Sequence, residues 1–273
     1  MVATLTPRQR YEQRERRRSV AVAAVSLMVV IAALVLLLPL APGWQAVKRS
    51  FFNWPILVKT FPTLLKAFTL DVMIFAWSLP LIVVMALAIA LCRNTRKAAL
   101  FPLRVFGAFY TDIFRGVPTI LLVYLIGFGI PGLGLPRPWN SPYLWGTVAL
   151  VLTYSAYVAE VLSSGIESVH ASQRSAAHSL GLSEADTMRY VVLPQAVRRQ
   201  IPAMMNFVIA LQKDVALLSF IGPVELLRQA NVYKSLMANF TPYVGAAIIF
   251  LMVTIPATRY TDHLLAKQRA QRS

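Results

Sequence analysis

Residues 20–41 contain no charged side chain, and neither do residues 72–92 or 235–258. Runs of this kind leave a chain few ways to fold. A helix needs ~20 apolar residues to cross the ~30 Å hydrocarbon core of a bilayer, and each run meets that length. Charged residues make up 14% of the chain and hydrophobic ones 57%, whereas soluble domains carry ~25% charged residues. The fold class that follows is an all-α membrane protein, and 273 residues suit one helical bundle. Six spans are expected: 20–41, 61–91, about 98–130, about 143–166, about 200–222, and a last one within 234–259. The first outlasts the ~7–15 apolar residues of a signal peptide and meets Pro42 without a clear small-x-small cleavage site. It is expected to stay as a helix.

The formal net charge is +16. In a soluble chain that would point to nucleic acid. Here Lys and Arg gather between the apolar runs, so orientation in the membrane accounts for them. Arg8, Arg10, Arg14, Arg16, Arg17 and Arg18 crowd the arm 1–19, read as disordered or as a frayed amphipathic helix. Arg93, Arg96, Lys97 and Arg104 follow the second span, Arg198 and Arg199 close the 167–199 loop, and Arg259, Lys267, Arg269 and Arg272 mark the tail. Segments 41–60, 131–142 and 223–241 hold fewer cations. Cytoplasmic loops are enriched in Lys and Arg, so both termini and the 167–199 loop are placed in the cytoplasm. Segment 44–60, with Trp44, Phe51, Phe52 and Trp54, is expected along the outer membrane surface. An external loop at 222–242 carries a short amphipathic helix. Cys92 is the single cysteine, which excludes an intrachain disulfide and argues against a thiolate metal cluster. No H-E-x-x-H, Gly-x-Ser-x-Gly or Walker-type phosphate loop occurs. The chain therefore has no P-loop of its own, and neither catalytic residues nor a bound metal or cofactor is expected.

Polar residues inside the spans are the candidates for a transport path. Asp112 and Arg115 lie three apart and can pair on one helix face, just before Gly116 and Pro118, which weaken the helix and free backbone groups. A gate, a packing hinge or a local ion pair would each explain them. In the fourth span Thr153, Tyr157, Glu160 and Ser164 fall on one face. Glu160 inside a span costs ~2.5–3.5 kcal/mol on insertion scales, so it should face protein or water. It is read as lining a path or closing its cytoplasmic end. Lys213 and Asp214, with Gln212, interrupt the fifth span about midway and are candidates for contacting a polar solute or gating the path.

The 173–194 segment reads QRSAAHSLGLSEADTMRYVVLP. A short helix over 171–180, a left-handed Gly181 at its end, a second helix from Ser183 with Asp186 in a loose capping box, and a stop at Pro194 are expected. The product is a bent helix pair with a small-residue face, suited to docking in a groove on another protein.

This segment resembles the signature of permease subunits of ATP-driven importers: Glu-Ala-Ala, three residues, Gly, nine residues, Ile-x-Leu-Pro. Ala176, Ala177, Gly181, Val191, Leu193 and Pro194 fall at those spacings, with Ser175 in place of Glu and Val191 in place of Ile. The stretch YTDIFRGVP resembles the Arg-Gly-(Thr or Val)-Pro motif of polar amino-acid permeases, and AYVAEVLSSGIESV resembles the same family, with Ser163-Ser164-Gly165 where it has Arg-Gly-Gly. Lys213-Asp214-Val215-Ala216 stands where the family has Lys-(Asp or Glu)-Thr-Ser. The resemblance is to the histidine/glutamine/glutamate type of permease in bacterial ABC importers. It covers about 61–266 as a five-span type I core, with the 20–41 helix as an addition, the 20–60 stretch before the core and a basic tail at 267–273. It implies docking of the 171–195 loop to an ATPase through Ser175, Ala176, Ala177, Gly181, Leu182, Leu193 and Pro194. It also implies a second permease subunit, identical or homologous, an external solute-binding protein, ATP and magnesium on the separate ATPase, a polar amino acid as cargo, and residence in the bacterial inner membrane. Glutamate or glutamine is favoured by Lys213 and Arg115, with histidine or arginine as the alternative. A secondary transporter, a non-transporting scaffold and an intramembrane enzyme are the competing classes; no convincing inverted repeat and no nucleophile–base pair appears.

Overall fold

The computed structural model describes residues 7–95 and 97–270, with side chains for Glu15, 17–95 and 97–267. Arg96 and Arg272, and the side chains of Arg8, Arg10, Arg14, Arg16 and Arg269, lie outside the described residues. Two compact units divide the chain, Met1–Trp54 and Pro55–Ser273. The first holds α1 (Pro7–Leu37), a 3₁₀ turn at Leu38–Leu40 and α2 (Trp44–Phe51). The basic arm is thus helical from Pro7 and continuous with the first apolar run. No Gly or Pro interrupts residues 8–37, and Arg, Gln, Glu and Ala are strong helix formers.

In the second unit α3 (Trp54–Arg93) runs for 40 residues, ~60 Å at 1.5 Å per residue. The sequence reading began this span at Phe61 and laid residues 54–60 on the membrane surface. Instead they form the first turns of α3, and Pro62 sits inside the helix. Packing explains the difference. A Cβ at Gly245 would lie 2.9 Å from Leu64 Cδ1 and 3.2 Å from Leu57 Cδ1. The bare glycine lets both turns of α3 close on the last helix.

The third apolar stretch is broken, as Gly116 and Pro118 lead one to expect. α4 (Phe101–Gly116) and α5 (Thr119–Gly129) meet at 103°. Val117 is extended (φ −97°, ψ 131°), the conformation forced on a residue that precedes proline. α6 (Pro142–Glu167) is the central helix, buried over most of its length, with Ala149, Leu150, Tyr154, Ala156, Ala159 and Leu162 in the main core.

α7 (Ala171–Ser179) ends at Gly181, whose φ is +81°. The Leu182 N–H reaches Ala177 O and the Gly181 N–H reaches His178 O, the paired closure typical of a glycine-terminated helix. Ser183 caps the next turn, α8 (Glu184–Asp186), by accepting the Asp186 N–H at 3.1 Å. Both features were expected. The stop at Pro194 does not occur. A π-helical stretch at Thr187–Val192 passes directly into α9 (Leu193–Asp214), and Val192 keeps helical angles (φ −78°, ψ −54°). Proline clashes with the carbonyl four residues back in an α-helix, and the wider π turn moves that carbonyl away. Residues Glu184–Phe220 form one apolar span of 37 residues, ending in a 3₁₀ turn at Val215–Phe220. α10 (Leu226–Met237) fills the expected external loop, and α11 (Thr241–Ala270) is the last span. Among the described residues, five helices are long and apolar enough to cross a membrane, six if the α4–α5 pair counts as one span.

Candidate functional site

The face of α6 that carries Thr153, Tyr157, Glu160 and Ser164 emerges from the bundle along its length. Thr153 is fully buried and donates to Ala149 O at 2.8 Å. Its hydroxyl is thus spent within α6. A β-branched hydroxyl in a helix can satisfy itself on the preceding turn. Tyr157 is half-buried and stacks on Phe207, ring centroids 5.7 Å apart. Glu160 is half-buried and Ser164 exposed.

Glu160 is the focus of the charges. Arg93, in the last turn of α3, hydrogen-bonds its carboxylate, and Arg115 of α4 lies 3.0 Å from the same oxygen. Arg115 therefore pairs with Glu160 and not with Asp112, which is exposed and has no ion pair among the described residues. Spacing three apart permits a pair on a helix; a third group from α6 decides it. Two guanidiniums on one carboxylate leave a surplus positive charge beside the Gly116–Pro118 bend. Arg93 read only as part of a basic loop, because nothing in local spacing ties it to a residue 67 positions away.

Gln212, Lys213 and Asp214 sit where α9 hands over to the 3₁₀ turn. They go three ways. Asp214 accepts the Tyr154 hydroxyl at 2.9 Å. Gln212 Oε1 accepts the Thr254 hydroxyl at 3.1 Å. Lys213 is exposed and forms no ion pair with Asp214.

The elbow formed by α7 and α8 presents Ser175, Ala176, Gly181 and Pro194 outward. Ala177 is buried, and Leu182 and Leu193 are half-buried, so these three shape the elbow from within. Two residues outside the sequence signature stand proud instead: Leu180 is 82% exposed and Tyr190 61%. Arg174 ties the elbow to the core helix, donating to Ile166 O at 3.2 Å. His178 braces the bend against Glu184 at 3.0 Å.

A carboxyl pair is the feature least visible in the sequence. Asp71 of α3 and Glu225, the cap of α10, are both buried. Asp71 Oδ2 accepts the Leu226 N–H, and Glu225 accepts the N–H groups of Leu227 and Arg228. Burial, and then the nearby Asp71 carboxylate, push Glu225 up from 4.5 to about 8. A raised carboxyl pKa means its contribution to stability is complete below the ordinary value and is lost as pH rises through about 8. The thermal midpoint of the purified protein should therefore fall by ~3–5 °C between pH 6 and pH 9, and Glu225→Gln should flatten that slope. Differential scanning fluorimetry across the pH series checks it; an unchanged slope in the variant would assign the effect elsewhere.

Residues 97–270 match the family described as the inner membrane component of binding-protein-dependent transport systems. Among curated proteins, the probable glutamine ABC transporter permease protein GlnM of Bacillus subtilis (strain 168) is 32% identical over 182 residues, 66% of this chain and 82% of that protein. The probable amino-acid permease protein YxeN of the same organism is 29% identical over 204 residues, 74% and 90% of the two chains. Among solved structures, an amino acid ABC transporter with histidines superposes at a TM-score of 0.70 with 31% identity, covering 80% of this chain and 98% of that one. The MetNI methionine ABC transporter, facing inward, shares the fold at 0.57 with 17% identity, over 79% and 98% of the two chains.

Proposed function

The chain belongs to the inner membrane components of binding-protein-dependent transport systems, and on that premise we propose that it is the permease subunit of an ATP-driven amino-acid importer, with glutamine or glutamate as the preferred cargo. It is a multi-pass protein of the bacterial inner membrane. The observation that carries the reading is the elbow: a rigid bend at Gly181, anchored to α6 through Arg174 and exposing Leu180 and Tyr190. An ATPase seated on that surface moves the elbow when it binds ATP with magnesium. The unbroken helical path from Glu184 to Phe220 carries the displacement into the bundle. Two states with different affinity for the ATP-bound partner are the thermodynamic requirement. A second permease subunit completes the path, and an external binding protein delivers the solute.

The glutamine in the relative's name, the exposed Lys213 and the surplus guanidinium beside Glu160 favour a carboxylate-bearing solute. A basic amino acid is the second reading, favoured by the histidines named for the solved neighbour. Competition for radiolabelled uptake in a strain lacking this chain separates the two. Glutamine uptake should vanish with the deletion, return with the plasmid-borne chain, and be competed by glutamine or glutamate well before arginine or histidine. Unchanged uptake of every amino acid in the deletion strain would overturn the proposal.

A further inference from the structure

α10 is packed apart from the main core. Its Leu226 and Ala230 meet Leu64 and Phe68 of α3 and Ala246 and Ile249 of α11 in a separate small cluster. Residues of positive φ flank the helix, Gly222 at +126° and Ala238 at +48°. The carboxyl pair fastens its first turn to α3. Asp71 is 2% exposed and Glu225 0%. Both oxygens of Glu225 accept N–H groups of α10, from Arg228 at 2.6 Å and from Leu227 at 2.8 Å. Asp71 Oδ2 accepts the Leu226 N–H at 3.0 Å. The two side chains also hydrogen-bond each other. Ionised carboxylates can only accept, so that bond contains a proton. The same proton accounts for Asp71 Oδ1, a buried oxygen to which no other N–H or O–H is directed.

We infer that Asp71 and Glu225 form a proton-binding site at the outer end of the bundle, and that the bound proton latches α10 to α3. With the proton in place, one carboxyl donates to the other and the first turn of α10 stays tied down. Without it, two buried carboxylates face each other in apolar surroundings, and both gain solvent when α10 swings out on its flanking residues. The charge acting on Glu225 is that of Asp71. The Lys66 side chain of α3 and the Arg228 side chain of α10 are exposed. Tyr233 of α10 and Tyr243 of α11 pack on the same cluster, and the Tyr243 hydroxyl donates to Asn231 at 3.0 Å. The 3₁₀ turn at Val215–Phe220 carries no titratable side chain. The sign follows from linkage. Burial and the facing carboxylate hold Glu225 at about 8 in the closed latch, against 4.5 in water. Opening therefore releases a proton between those values, so its equilibrium rises about tenfold per pH unit and levels above about 8. An alkaline medium outside loosens this end of the bundle, which lies across the Glu184–Phe220 span from the elbow.

Hydrogen exchange of the purified full-length chain in lipid nanodiscs tests the latch. Peptides from α10 are compared with peptides from α6 as protection factors, which cancel the intrinsic effect of pH on exchange. Protection of α10 should fall about fiftyfold from pH 6 to pH 8 and only about twofold more by pH 9, the course for one proton with those two values. Protection of α6 should stay level across the series. Glu225→Gln cannot ionise, and its amide donates to Asp71 while its carbonyl still accepts from α10. Protection of α10 should then be independent of pH. Should that variant not fold, Asp71→Asn takes its place: it removes the facing charge, and the fall from pH 6 to pH 8 should shrink severalfold. Level protection of α10 in the wild type, a parallel fall in α6, or the wild-type slope retained in the folded variant would each overturn the latch.

Discussion

Gly181→Trp is expected to lower ATP-driven uptake about a hundredfold, the ~2.8 kcal/mol scale of a lost interface anchor, and to release the ATPase from the purified complex. Two separate effects act at this position. The residue has φ +81°, where an L side chain costs ~1–2 kcal/mol. A Cβ here meets nothing within 4 Å, so within the protomer the space is open and bulk alone does no harm. Strain and bulk can therefore be separated. Gly181→Asn tolerates the left-handed conformation and should keep most of the coupling. Gly181→Ala carries the strain without bulk and should lose an intermediate amount. Tryptophan carries both and also projects into the space between Leu180 and the proposed partner. Co-purification of the ATPase, uptake, and thermal stability of the isolated permease are the three readouts. Stability should fall equally for alanine and tryptophan, while docking falls far more for tryptophan. If tryptophan left ATPase binding and uptake intact, the docking role of the elbow would be wrong.

The parts of this fold that could be read in advance are those with local causes. The apolar runs mark the spans because a bilayer demands length. The 103° break follows from Pro118 acting on Val117. The elbow follows from Gly181 and Ser183, whose hydrogen bonds close within five residues. What escaped depends on partners far along the chain. α3 starts at Trp54 because Leu57 and Leu64 find room at Gly245. Pro194 ends nothing, because the main core takes in Val192 and Ala196 on either side of it and the strain goes into a π turn. Arg115 leaves Asp112 for Glu160, which α6 supplies. Asp71 meets Leu226, the first residue of α10, at a separation of 155 residues. The elbow shows the same division: the spacing of Ala176, Gly181 and Pro194 finds it, yet only the folded chain shows Ala177 turned inward and Leu180 and Tyr190 turned out.

Glu160→Gln should cut coupled uptake more than tenfold while costing only ~1–2 kcal/mol of stability. The carboxylate holds Arg93 of α3 and Arg115 of α4 to α6, so three helices meet at one group. Removing one partner of a fully buried pair costs ~3–5 kcal/mol. Here the side chains are 23–38% exposed, and water screens the two arginines left behind. Stability is thus the smaller effect. The larger one is conformational. Glu160 fixes the end of α3 against the α4–α5 bend in this state, so losing it frees the bend to move without the elbow. Uptake should fall, and basal ATP hydrolysis should rise towards the rate stimulated by binding protein. A double-mutant cycle with Arg115→Met should return a coupling energy of ~0.5–3 kcal/mol. Asp112→Asn, one turn away and without an ion pair, should change uptake by less than about twofold, as isolated surface substitutions do. Equal losses for Asp112→Asn and Glu160→Gln would move the function from the three-helix cluster to the general charge of the α4 face.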